Sequence, residues 1–249
     1  MSRPLWCWND PVVTGFLRVI TMINTIRALY TRARTVLREE GLVTTLRRVV
    51  SFFSRRFIRY DKLYLYKHSL EERAETDFLP RIDNFSMEIV SSNSQAAELA
   101  ARGIDIRQLS PEFEKSLKKG AVAFCILVDN ELAHIGWVAM TAEAKKTIDD
   151  TPYHVDFSNG EACTGSTRTL PKYGRQGLMV YGYFKRIQYL KEMGRTASRN
   201  AVAIDNIASQ RAHARFNPQI YAKARLLKVL GLQFWKETSL DQETPFPQE

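Results

Sequence analysis

The richest chemical content lies in LPKYGRQGLMVYGYFKRI, residues 170–187. A strand-like run ends at Thr169 and Leu170, and Pro171 follows. Gly174, Arg175, Gln176 and Gly177 then form a short turn that opens directly into a helical run at Leu178 and Met179. Backbone amides in such a turn converge on one concavity, and the helix N-terminus adds about half a positive charge. That combination suits a phosphate or pyrophosphate, and glycine is needed where a side chain would block the anion. A turn that needs only positive φ, with no ligand, has the same pattern. No Lys-Ser/Thr pair follows the last glycine and there is no Gly-x-Gly-x-x-Gly, so neither a P-loop nor a dinucleotide fingerprint fits.

Further candidates surround this turn. Glu161 opens the strand that leads to it and lies on the same face as Cys163, which makes it a candidate base, directly or through water. The alternative is a strand-end carboxylate in solvent. Cys163 is either an acylated nucleophile or a buried strand cysteine. His134 either faces a cleft or fills the core. In IDNIASQRAHARF, residues 204–216, Asp205 or Asn206 can cap a helix. Three widely spaced cysteines (Cys7, Cys125 and Cys163) and four scattered histidines fit neither a disulfide framework nor a metal centre. A reducing compartment is therefore expected, and no metal.

The elements that must position these groups follow from patterning. Strands are expected over 85–90, 121–128, 132–140, 162–170 and 196–204, with 59–68 a further short strand and 220–237 strand material. Helices are expected over 95–102, 111–119, from the glycine turn to Gly194, and from 206 to about 216. The break at Asp129-Asn130-Glu131 marks a hairpin. This order predicts an α/β (α+β) fold: a mixed, mainly antiparallel sheet flanked by helices.

The formal net charge of +9 is unevenly placed. Residues 1–68 hold 11 Arg and 2 Lys against 2 Asp and 2 Glu, so the whole excess lies there and the rest is neutral. Four parts are expected: a basic helical extension (1–68), a connector (69–84), a neutral domain (85–240) and a frayed tail (241–249). In the extension, Leu42, Leu46, Val49, Phe53 and Phe57 form an apolar stripe opposite Arg47, Arg48 and Arg55. Such a helix either docks on an anionic membrane surface or packs on its own domain. The apolar run from Val12 to Ile23 is broken by Arg18 and is far short of the roughly 20 residues of a span. Cytoplasmic retention is expected, with peripheral attachment at the inner face of the membrane if the helices dock there.

From Ala121 to Phe216 the chain resembles the GNAT superfamily of acyl-CoA N-acyltransferases. The likeness rests on TLPKYGRQGL and IDNIASQRAHARF and on their separation. Gly174 and Met179 depart from the family pattern, which usually has Arg or Gln at the first place and Gly or Ala at the second. The extension and domain together look like GNAT proteins linked to cell-surface polysaccharide synthesis. The resemblance implies a GNAT-like fold and acetyl-CoA or another acyl-CoA as co-substrate. Thr169 and Leu170 would pair with the pantetheine, and the amides from Gly174 to Met179 would hold the pyrophosphate. Asn206 and Ser209 would support the pantetheine arm. Counting seven residues on from Asn206, where many members have a tyrosine acid, gives His213, which as an imidazolium would protonate the leaving thiolate. The implied acceptor is a small-molecule or carrier-linked primary amine, such as an amino sugar or its nucleotide- or lipid-linked form; nucleic acid is not an expected partner of such an enzyme. The alternative is a non-catalytic module that docks on membrane or nucleic acid and carries a degenerate acyltransferase domain.

Overall fold

A computed structural model describes residues 58–240 of the 249-residue chain. The helices expected before residue 58 and the tail after 240 lie outside the described residues. The elements are β1 (Ile58–Ser69), β2 (Phe85–Val90), α1 (Asn93–Ala101), α2 (Phe113–Lys118), β3 (Val122–Val128), β4 (Glu131–Ala139) and α3 (Ala142–Ile148). There follow β5 (Glu161–Thr169), α4 (Leu178–Glu192), β6 (Ala197–Ala203), α5 (Ile207–Ala214), β7 (Gln219–Val229) and β8 (Leu232–Ser239).

Local chemistry accounts for most boundaries. The β3–β4 hairpin turns at Asp129 and Asn130, with φ of 49° and 62°; these are residue types that tolerate the left-handed region such a turn requires. The Ser92 hydroxyl accepts from the Gln95 amide to start α1, and Thr141 does the same for Ala144 at α3. The short α3 has no apolar periodicity strong enough to be read from sequence.

One eight-stranded sheet has the order β2-β3-β4-β5-β6-β1-β7-β8. The pairs β2–β3, β3–β4, β4–β5 and β1–β6 are antiparallel, and β5–β6 is parallel. The sheet is thus mixed and mainly antiparallel, with helices on both faces. Strand alternation sends Leu65, Cys125, Ile135 and Trp137 to one face, where they pack with Leu99 of α1, Leu117 of α2 and Ile148 of α3. The other face carries Phe124 and Ile126 and is covered by α4 through Phe184, Ile187 and Leu190.

β1 lies between β6 and β7, with Leu63 opposite Ala203 and Ser69 opposite Ala197. Residues 58–68, grouped with the extension by charge, therefore form part of the middle of the sheet. The segment after β1 straps across α4 and α5. The Phe78 ring stacks between Phe184 and Phe216, with centroids 4.9 Å from each. Glu75 accepts from the Tyr181 hydroxyl at 2.8 Å and pairs with Lys185 at 3.2 Å.

Candidate active site

The parallel strands β5 and β6 pair at only three positions: Glu161 with Ala197, Ala162 with Ser198, and Cys163 with Arg199. Beyond Cys163 they part. β6 stays with β1, Asn200 facing Tyr66, while β5 stays with β4. The result is a wedge whose β5 wall exposes backbone groups that have no strand partner on that side.

A bulge in β5 drives the divergence. Trp137 faces Gly165 and Ile135 faces Arg168, so Ser166 and Thr167 together oppose the single residue Gly136. Ser166 has φ of 46°. A bulge of this kind bends the strand and raises its local twist. The bulge is held from below by Arg186 of α4, whose Nη1 donates to Thr167 Oγ1 at 3.1 Å and whose Nε donates to the Gly182 carbonyl at 3.0 Å. Arg186 is buried, and no carboxylate among the described residues pairs with it. Burial pushes its pKa down to about 10, leaving it charged at neutral pH.

At the apex, three hydroxyls meet. Thr164 Oγ1 and Ser198 Oγ are 3.0 Å apart, and the Tyr183 hydroxyl lies 3.4 Å from Ser198. Glu161 joins three strands there. It accepts from Arg199 of β6 through both oxygens, at 2.5 and 2.8 Å, and pairs with Lys67 of β1 at 3.3 Å. Burial alone would raise its pKa. Arg199, the Asp156 amide and Lys67 outweigh that and hold it below the usual carboxylate range. Glu161, expected either as a candidate base or as a strand-end carboxylate in solvent, is a buried carboxylate that clamps the strands where the wedge begins.

At the mouth, β5 runs through Leu170 into a short 3-10 turn, Pro171–Tyr173, and then into the glycine turn. The Leu170 amide donates to Ala133 and its carbonyl accepts from Tyr173. Both of its backbone groups thus have a partner within the protein. Thr169 Oγ1 lies 2.7 Å from His134 Nδ1. Arg175 and Gly177 have φ of 63° and 83°, and Gly174 has φ of −61°, so only Gly177 of the two glycines is in the left-handed region. Leu178 and Met179 open α4, and no side chain caps it. Its first-turn amides therefore remain for an anion. The turn is backed by the segment before β2: the Arg81 amide donates to the Gln176 carbonyl at 2.8 Å.

Across the wedge, Asn206 Oδ1 accepts from the Ser209 amide at 3.1 Å and starts α5 just beyond the end of β6. About two turns on from that cap, His213 is buried among the rings of Tyr66, His68 and Tyr183, at centroid distances of 5.6, 5.1 and 4.6 Å. Its Nε2 is 3.0 Å from Nδ2 of Asn200. Burial, and then the charge of Arg186, pushes its pKa down to about 3. The imidazole is neutral at physiological pH, which corrects the expectation of an imidazolium donor. It is equally not a helix-surface residue. Cys163 is buried with its thiol pKa pushed up to about 12, so it is no nucleophile. His134 is a core residue, pushed down to about 3 by burial.

Patterning puts Arg186 on the outward side of α4 with Lys185, Gln188 and Lys191; the structure corrects this, since Arg186 is buried against Gly136 and Thr167. The three apex hydroxyls and the partners of Glu161 left no signal in the sequence. Among the described residues, no group of His, Cys, Asp or Glu is placed to hold a metal ion, and no helix is long and apolar enough to cross a membrane.

No protein-family model and no curated protein matches the sequence. Solved structures do. One is described as a putative acetyltransferase from the GNAT family of Novosphingobium aromaticivorans (13% identity, TM-score 0.46, 70% of this chain and 67% of that one). Another is a GNAT-family acetyltransferase from Colwellia psychrerythraea (14%, 0.45, 69% and 57%). A third is a GCN5-related N-acetyltransferase from Kribbella flavida (16%, 0.42, 78% and 65%). The match spans less than two thirds of several of these chains, among them 58% of a Drosophila protein.

Proposed function

We propose that this chain is a GNAT-type enzyme that transfers an acetyl or other acyl group from acyl-CoA to a primary amine. The observation that carries this reading is the parting of β5 and β6 after Cys163, in a wedge whose mouth holds the uncapped N-terminus of α4. From Cys163 to Thr169 the β5 wall is about 20 Å long at strand rise. An extended arm with its own amides can run along that wall and hydrogen-bond to it, as a peptide adds to a strand edge. A pyrophosphate at the far end of the arm meets the first-turn amides of α4.

The acyl thioester then lies toward the apex, near the Thr164, Ser198 and Tyr183 hydroxyls. A neutral amine attacks its carbonyl carbon, the C–N bond forms, the C–S bond breaks and the sulfur leaves as thiolate. The amine's proton passes to water and the thiolate takes one from water, because Glu161 is held ionised by two cations and His213 is neutral. The protein's contribution is to bind and orient the reactants. The fixed charge of Arg186 beneath the bulge favours the negative charge that develops.

Titration calorimetry with acetyl-CoA, followed by mass spectrometry of amines incubated with protein and acyl-CoA, tests this reading. Amino sugars, free and carrier-linked, belong in that library. Glu161 and His213, the two candidates among the described residues, are not poised as base or acid, which also favours a second reading, a CoA-binding module without turnover; binding with no acylated product would select it. Docking of residues 1–57 on anionic membrane remains a proposal, checked by vesicle sedimentation at low and high salt.

A further inference from the structure

Several cationic side chains of the described residues pair with carboxylates: Lys67 and Arg199 with Glu161, Arg102 with Glu88, Lys119 with Glu143, Lys191 with Glu72. Others do not, and four of these gather in one place. Lys62 of β1, Lys223 and Arg225 of β7 and Lys236 of β8 line one cavity of about 280 Å³ together with Ile204 and Thr238. All four are exposed, and no carboxylate among the described residues pairs with any of them. Strand alternation explains the gathering, since Lys223 and Arg225 are two residues apart on β7 and so share a face. Lys223 Nζ lies 5.6 Å from the centroid of the Tyr64 ring, and Tyr64 is two residues on from Lys62 along β1. Four like charges around one cavity repel one another, and an anion placed among them removes that cost.

A second cavity of about 260 Å³ adjoins the first and shares Lys62 and Ile204 with it. Its other lining residues are Tyr60, Asp61, Ala203 and Asp205. The Tyr60 ring is 52% exposed, which leaves a face open for stacking. Asp205, also exposed, can accept hydrogen bonds from sugar hydroxyls, as a carboxylate does from a ribose. Cations beside an open ring and a carboxylate match the parts of one ligand class: phosphates, an aromatic base and a sugar between them.

We infer that the paired cavities form a binding site for a nucleoside diphosphate, free or as the carrier of a larger group. Lys62, Lys223, Arg225 and Lys236 hold the phosphates, and Tyr60 and Asp205 take the base and sugar. No lining residue belongs to the turn at Gly174–Gly177, and since Asp205 adjoins Asn206 at the wedge, competition with CoA is part of the test.

Titration calorimetry of the full-length protein with uridine diphosphate, adenosine diphosphate and inorganic pyrophosphate tests it, with and without saturating CoA. Wild type should bind at least one nucleoside diphosphate more tightly than pyrophosphate, and CoA should leave that binding in place. Lys223→Gln with Arg225→Gln, both exposed and remote from the core, should weaken it about tenfold or more. Lys115→Gln, a distant exposed lysine, should not. Tyr60→Ala should weaken the nucleotide and leave pyrophosphate unchanged. The inference is overturned if wild type binds no nucleoside diphosphate at millimolar concentration, or if the double variant binds as wild type does. Displacement by CoA would overturn it too, since the cavities would then belong to the cofactor. Pyrophosphate binding as tightly as the nucleotides would remove the roles given to Tyr60 and Asp205. Failure of CoA to bind in the same series would instead count against the acyl-transfer reading alone.

Discussion

The Arg186 guanidinium occupies the space a side chain would need at Gly136: a β-carbon there would lie 2.6 Å from Arg186 Cζ. The glycine, the buried arginine and the Thr167 bulge are thus one device, and its output is the parting of β5 from β6. Gly136→Ala should cost about 1–3 kcal/mol in urea unfolding, because a buried, packed group must move. Adding Arg186→Met should recover most of that loss, since it removes both the clash and an unpaired buried charge. The recovered double variant should still bind acetyl-CoA more weakly than wild type, because Thr167 is no longer held. Full CoA affinity in it would detach Arg186 from the wedge.

Gly177 separates backbone strain from ligand repulsion. At φ of 83° any side chain is strained, and a β-carbon would sit 3.4 Å from Pro80 Cα, an ordinary contact. Gly177→Ala should therefore fold, with roughly 1 kcal/mol lost. Gly177→Glu adds a carboxylate at the helix N-terminus where the pyrophosphate is proposed to sit, and should weaken CoA by about 2 kcal/mol or more relative to the Ala variant. Equal calorimetric affinity in the two variants would place the anion elsewhere.

Glu161 tests structure against catalysis directly. With two cations on it, Glu161→Gln leaves the part-buried Arg199 and Lys67 short of a counter-charge, and about 2–4 kcal/mol of unfolding free energy should be lost. Turnover per folded molecule should fall less than tenfold. A loss of two orders of magnitude in kcat with unchanged stability would return Glu161 to the role of base.

Local features of the site were legible and tertiary ones were not, for a physical reason. The glycine turn, the Asn206 cap and the β3–β4 hairpin depend on residues a few positions apart, and sequence carries that information. The state of Glu161 depends on Arg199, 38 residues away, and on Lys67 of a strand inserted between β6 and β7. No periodicity in β1 announces that insertion. The seven-residue count does place His213 on α5, yet its charge is set by His68, Tyr66 and Arg186, which only the packed sheet brings to it.

Acid should unfold the protein through its buried histidines. His134 and His213 are pushed from an ordinary value near 6.5 down to about 3, so between those limits the unfolded chain binds more protons than the folded one. Stability is then fully present above pH 6.5 and is lost as pH falls, at about 1.4 kcal/mol per pH unit for each histidine. His68, also lowered by burial, adds in the same direction. Urea midpoints measured from pH 7.5 to 5 should decline steadily, before carboxylates begin to titrate. His213→Gln should reduce the slope. A flat profile over that range would show that the histidines are hydrated in the folded state.

The last prediction concerns turnover at His213. If this imidazole were the acid, kcat would fall through the ordinary histidine range as pH rises, and a phenol at the same place would shift that limb upward. The packing argues otherwise. The ring is buried beside a fixed guanidinium, Asn200 lies at its Nε2, and its pKa is near 3, so no proton is gained or lost at this nitrogen between pH 6 and 8. The kcat profile at saturating amine should therefore show no falling limb of histidine origin across that interval. Ionisation of the amine itself is read separately, from kcat/KM with amines of different pKa. His213→Gln can keep a polar contact with Asn200 and should retain most of kcat and of CoA affinity. His213→Phe leaves Asn200 without that partner and should lose about 1–3 kcal/mol of stability, with kcat per folded molecule changed less than tenfold. A hundredfold drop in kcat for both variants, together with a wild-type limb near pH 6.5 that both abolish, would show that substrate binding recharges this histidine and that the acid is His213 after all.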